Sequence, residues 1–136
     1  MAKKLLIHSL LIIVVLFTNC DDDTSIPPDN GSGLPVVVNT EDVYTYTLLA
    51  GNYSETRNNT LDFTSDLLTI SLTIVGYQQG NGALTVLAAD SSVIFTESLD
   101  ANKVITLTDL SGAIPSEINI EINNLSATLT FTLTTQ

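Results

Sequence analysis

Period-two alternation of apolar and polar residues, a wealth of threonine and β-branched side chains, and the lack of any helical pattern predict an all-β fold. Turn signals separate the alternating runs, so the chain reads as seven to eight short strands within residues 35–136. That many strands in about 100 residues, without a helix, favour an antiparallel two-sheet sandwich over a barrel.

The elements follow in order. Val36–Asn39 and Val43–Ala50 are short β-branched or aromatic runs, and Tyr44 and Tyr46 share a face at strand spacing. Leu68, Ile70, Leu72 and Ile74 alternate with Thr69, Ser71 and Thr73, which marks a strand with one buried and one wet face. Gly76 through Gly82, including Asn81-Gly82, reads as a turn leading to Ala83–Asp90. Asp90-Ser91 precedes a strand over Ser92–Leu99, and Asp100-Ala101-Asn102 precedes one over Lys103–Thr108. After Ser111-Gly112, Pro115 stands where a missing backbone donor does no harm. Ile118, Ile120 and Ile122 then point inward against Glu117, Asn119, Glu121 and Asn123. The clearest strand closes the chain: Ala127, Leu129, Phe131 and Leu133 alternate with Thr128, Thr130, Thr132 and Thr134.

Before this domain lie two segments of different character. Residues 1–19 begin with Lys3 and Lys4 and continue through an apolar run of 13 residues, Leu5 to Phe17, broken only by His8 and Ser9. A crossing helix needs about 20 apolar residues, so the run suits a secretory signal better than a membrane anchor. Residues 20–34 start at Cys20, the sole cysteine, and pass through Asp21, Asp22 and Asp23 into a stretch holding Pro27, Pro28, Gly31 and Gly33. That composition suits a flexible tether.

Phe17, Thr18, Asn19 and Cys20 occupy the four positions of a lipobox, and the leader resembles that of bacterial lipoproteins. The resemblance implies cleavage before Cys20 and attachment of diacylglycerol to its sulfur, with the new N-terminus acylated as well, as by palmitate. Two or more chains anchor stably where one is marginal. Asp21, Asp22 and Asp23 resemble the acidic surface-export signals of lipoproteins in the Bacteroidota group, which implies display on the outer membrane at the cell surface. Within the domain, GALTVLAADSSVIF carries Leu84, Val86, Asp90, Ile94 and Phe95. From Gly82 to Thr134 the chain loosely resembles small bacterial jelly-roll or immunoglobulin-like accessory domains.

Composition then excludes much chemistry. The 136 residues hold 15 acidic and four basic side chains. Cleavage before Cys20 leaves only Arg57 and Lys103 as cations, so nucleic acid is not an expected partner. It also removes His8, the sole histidine, while acylation consumes the sole thiol. Ser-His-Asp and Cys-His nucleophile systems, zinc sites built on His or Cys, and disulfides are therefore not expected.

Carboxylates could still act as a glycosidase pair or hold calcium, the candidates being Asp62 with Asp66, or Asp90 with Asp100 and Asp109. Each falls at an expected turn or strand end, where Asp ordinarily bonds its own backbone. Neither a catalytic set nor a metal site or cofactor is expected. Tyr53 and Tyr77 fall in expected loops and are the candidate contacts for a glycan. Leu49 to Tyr53 faintly resembles the opening of lipocalins, and Asn52, Asn58 and Asn124 begin Asn-x-Ser/Thr sequons of no expected consequence in a bacterial lipoprotein. The expected protein is a non-catalytic structural or adhesion module, held to the membrane by lipid and meeting a protein or matrix-polymer partner. Its rival is a glycan-binding accessory of a polysaccharide uptake system.

Overall fold

The computed structural model describes residues 33–136, so Cys20 and the Asp21–Asp23 run lie outside the described residues. Alternation produces six strands: β1 Val36–Thr40, β2 Val43–Thr60, β3 Leu68–Ala88, β4 Val93–Ser98, β5 Lys103–Leu110 and β6 Pro115–Thr135. All neighbours are antiparallel and belong to one sheet. The order is β1-β2-β6-β3-β4, with β5 also paired to β3.

Six strands replace the seven to eight expected because runs read as separate strands are continuous. Residues 68–88 form one strand through the expected turn at Gly76–Gly82, and residues 115–135 form one through Asn123-Asn124. The punctuating residues act as bulges. Asn52 in β2, Gly76 and Gly80 in β3 and Asn124 in β6 all have positive φ, and the pairing register shifts beside each of them. A bulge inserts one residue and bends the strand, so the inward-facing set changes parity. In β2 the inward residues are Tyr44, Tyr46, Leu48 and Ala50 before the bulge, and Tyr53, Glu55, Arg57 and Asn59 after it. In β6 they are Ile118, Ile120 and Ile122, then Leu125, Ala127 and Leu129.

The bulges lie side by side across three paired strands, because Tyr53 pairs with Leu125 and Gln79 with Ser126. The sheet therefore folds back along one line. One side, the β5 half, holds β1, β5, the first part of β2 and β3 and the last part of β6. The other, the β4 half, holds β4 and the remaining parts of those three strands. Glycine is required at this line. Gly80 has φ +93, and a Cβ there would strike the Asn124 carbonyl and Leu125 Cα.

Inner faces of the two halves meet in a single core. Tyr44, Leu72, Leu129 and Phe131 from the β5 half pack with Val86, Phe95, Ile118 and Ile120 from the β4 half. Phe95 and Phe131 stack with ring centroids 6.3 Å apart, and Tyr44 lies tilted on the other side of Phe131 at 6.4 Å. Side-chain bonds lace the open margins. Asn39 in β1 donates to the Thr60 carbonyl across one of them at 2.9 Å. Across the other, Lys103 in β5 donates to Glu97 Oε1 at 2.8 Å and to the Ser98 carbonyl at 2.7 Å.

Candidate functional site

Folding β2 back on itself brings its two arms into register. Tyr46 donates to Glu55 Oε2 at 3.0 Å, Tyr53 donates to the same oxygen at 3.3 Å, and Arg57 Nε donates to Glu55 Oε1 at 2.6 Å. The Arg57 guanidinium also pairs with that oxygen through Nη2. Tyr44 donates to Asn59 Oδ1 at 3.0 Å. One carboxylate thus satisfies two phenols and a guanidinium at the margin of the core, as buried polar groups require. Burial pushes the Tyr44 phenol up to about 12, with Arg57 opposing and Glu55 reinforcing the shift. Burial and then the Glu55 hydrogen bond raise Tyr46 further, and the same influences raise Tyr53. The Glu55 hydrogen bond raises Arg57. The three phenols and the Arg57 Nε and Nη2 donors are all spent on partners within β2, so the cluster ties its two arms together.

Sequence reasoning did not single out Glu55 or Arg57. Their only signal was an acid and a cation at strand spacing on the far side of Gly51-Asn52 from Tyr44 and Tyr46, legible only once that pair is known to bend a strand.

Tyr53 and Tyr77 do not form a free aromatic platform. Both lie in strands at the fold line instead of loops, and both are half-buried against the core. The Tyr77 hydroxyl donates to the Gly80 carbonyl at 2.8 Å, and its backbone N–H donates to Asn102 Oδ1 at 2.8 Å. The bulges draw both rings inward, as a strand at a parity change does with residues next to it.

The carboxylate candidates are scattered. Asp62 and Asp66 fall in the β2–β3 connection, Asp90 in the β3–β4 turn, Asp100 in the β4–β5 turn and Asp109 at the end of β5. Asp90 accepts from the Ser92 N–H at 3.0 Å, and bonds to Ser92 hold its carboxyl below the ordinary range. Asp100 accepts from Ser98 at 3.0 Å and is lowered first by that bond. Among the described residues no group of three or more His, Cys, Asp or Glu side chains is placed to hold a metal ion.

Along the fold line the outer surface is rich in amides and hydroxyls. Asn52 N–H donates to Ser126 Oγ at 2.9 Å, Gln79 donates to Asn52 Oδ1 at 3.3 Å, and Asn124 N–H donates to Ser54 Oγ at 2.8 Å. Asn52 and Asn124 are thus bulge residues, and Asn tolerates the left-handed region better than most side chains. A cleft of about 480 Å³ opens here, lined by Leu49, Gly51, Asn52, Gly76, Gln78, Ser126 and Thr128 among others, none charged.

The remaining surface of interest is the outer face of the β5 half. Its positions read in rows across the strands. Val36, Thr47, Thr130, Thr73 and Val104 make one row, and Val38, Thr45, Thr132, Ser71 and Thr106 the next. Leu49, Thr128 and Val75 continue toward the fold line, while Val43, Thr134 and Thr69 lie at the far end. Every outward position in these rows is Thr, Ser, Val or Leu. Neighbouring rows of one strand stand about 6.8 Å apart and neighbouring strands about 4.8 Å.

No family model and no curated protein matches the chain. Among solved structures it is similar to a chain described as the structure of infectious bursal disease virus, Gx strain. The identity is 17%, the match covers 77% of this chain and 33% of that one, and the TM-score is 0.35. The chain thus spans about a third of that protein's length, and a likeness this distant bears no weight.

Proposed function

We propose that the protein is a non-catalytic module of the cell envelope, lipid-anchored at Cys20 on the outer membrane and displayed at the cell surface. On this reading the folded-back sheet is a two-layer β-sandwich of the jelly-roll or immunoglobulin-like kind, and it meets a structural or adhesive protein partner. One observation carries the reading. Among the described residues, the four rows across the outer face of the β5 half carry no acidic side chain, and Asp109, in the β5 bulge opposite Thr69, stands only at their far end. A face free of charge loses little on being desolvated, which suits contact with another macromolecule.

Crosslinking on intact cells, followed by identification of what co-purifies, tests this. A specific protein is expected, and its yield should fall when Thr130→Lys places a charge at the centre of the face. Recovery of lipid and bulk envelope protein alone would remove the partner from the proposal. The anchor is tested separately: Cys20→Ala should release the protein from membranes, and protease shaving of intact cells should degrade the wild type.

The fold-line cleft favours a second reading, a glycan-binding accessory lipoprotein. Neutral amides and hydroxyls at Asn52, Gln78 and Ser126 suit a neutral saccharide. Retardation in gels containing neutral polysaccharide, abolished by Gln78→Ala, would support it.

A further inference from the structure

The same uncharged face has a consequence for the protein's own association. Copies of this chain repel, since each carries a formal net charge of −11. Most approaches bring carboxylates together. The outer face of the β4 half presents Glu117 and Glu121, and the connections present Asp62, Asp66, Asp90 and Asp100. The four rows on the outer face of the β5 half offer an approach with no carboxylate at its centre; Asp109, in the β5 bulge opposite Thr69, and the Glu41-Asp42 turn stand at its far end. Much of the exposed aliphatic surface also sits there: Val104 is 72% exposed, Val36 65%, Leu49 58%, Val75 47% and Val38 44%.

We infer that the β5-half face is a homodimer interface, packing on the same face of a second copy about a two-fold axis near Thr130. An isologous contact needs a self-complementary surface. A sheet face of threonine and valine meets that need, because methyl and hydroxyl groups alternate over it and no charge confronts its own image. Four rows and five strands make a patch about 20–25 Å on a side, on the order of 500 Å² in projection. Specific interfaces bury about 600–1,000 Å² per partner, so the patch falls somewhat short of that range and the dimer is weak and concentration-dependent instead of obligate. Its electrostatics are also determined. Attraction comes from uncharged groups while repulsion comes from the net charge, so salt strengthens the dimer by screening.

Sedimentation equilibrium of the full chain in density-matched non-ionic detergent tests the inference. A monomer–dimer equilibrium is expected, with a dissociation constant that falls several-fold between low and physiological salt. Thr130→Lys and Val104→Lys should each raise that constant at least tenfold, although both reduce the net negative charge; the pair guards against one variant failing to fold. Glu121→Lys, on the opposite face, should leave the dimer intact or tighten it. A single-chain mass at every concentration would overturn the inference. So would a dimer that weakens with salt, or one that survives both lysines, which would point to pairing through a strand edge.

Discussion

The β5 and β4 halves bury the same kind of residue and differ in what they show to solvent. The paired outward rows of the β5 half hold threonine, serine, valine and leucine, as in Val36-Thr47-Thr130-Thr73-Val104, with Asp109 the acidic residue at their far end. In the β4 half the matching rows read Thr60-Glu117-Leu87-Val93 and Asn58-Asn119-Thr85-Thr96. Glutamates and amides there make the face polar and partly charged. Asn119 even keeps a buried side-chain oxygen without a hydrogen-bond partner. The same three long strands supply both faces, so local strand propensity does not account for the difference. A solvated domain needs no more than the polar face of the β4 half; the β5 half carries a face that solubility alone does not require.

Breaking the contact between the halves should have the largest effect. Phe131 stacks on Phe95 and faces Tyr44, so Phe131→Ala opens a cavity spanning both halves. A loss of about 3–5 kcal/mol is expected by denaturant unfolding. A loss below about 1 kcal/mol would mean that the two inner faces do not share one core.

Next comes the Glu55 cluster at the margin between them. Glu55→Ala strands Arg57 and the hydroxyls of Tyr46 and Tyr53, and should cost about 2–3 kcal/mol. Glu55→Gln keeps an acceptor and should cost less. Equal losses would show that packing, not hydrogen bonding, is what Glu55 contributes.

The phenols there also tie the closure to pH. The folded-state value of Tyr44, about 12, lies above its ordinary 10.0, and Tyr46 is raised as well. The folded state therefore holds these protons more tightly, and their contribution is fully present below about pH 10. It is lost as pH climbs through about 12. Phenolate absorbance should show two tyrosines ionising only with unfolding, and stability should decline over that window.

At the fold line, Gly80→Ala forces a positive φ and a clash with the Asn124 carbonyl, whereas at Gly76 a Cβ meets nothing within 4 Å. Gly80→Ala should cost more than about 1 kcal/mol and more than Gly76→Ala. The reverse order in thermal melts would remove close strand approach as the reason for glycine there. Smallest of all, Thr85→Ser on the β4-half outer face should change stability by no more than about 0.5 kcal/mol.

Much of the fold was legible because alternation is a local signal. The inward sets Leu68-Ile70-Leu72-Ile74, Ile118-Ile120-Ile122 and Leu129-Phe131-Leu133 are all buried, as their pattern requires. Tyr44 and Tyr46 do share a face, as their spacing predicts, and that face is the buried one. Less legible was the meaning of the interruptions. Gly76–Gly82 and Asn123-Asn124 carry turn chemistry, and a bulge in a continuous strand uses the same residues as a turn between two. Only pairing with a neighbour distinguishes them, and neighbours are non-local. Tyr53 and Tyr77 were misplaced for that reason, read as loop residues free for a ligand when the fold line draws them inward.

By itself, then, the sequence determined an all-β antiparallel domain, the inward sets of its clearest alternating runs, and the acidic, histidine-free composition of everything after residue 19. These depend on residue type and period alone. The tertiary structure decided that the sheet folds along one line, that Glu55 gathers Arg57 and two tyrosines, and that the outward threonines of β2, β3 and β6 fall in shared rows. Each of these depends on register between strands tens of residues apart, which no local pattern encodes.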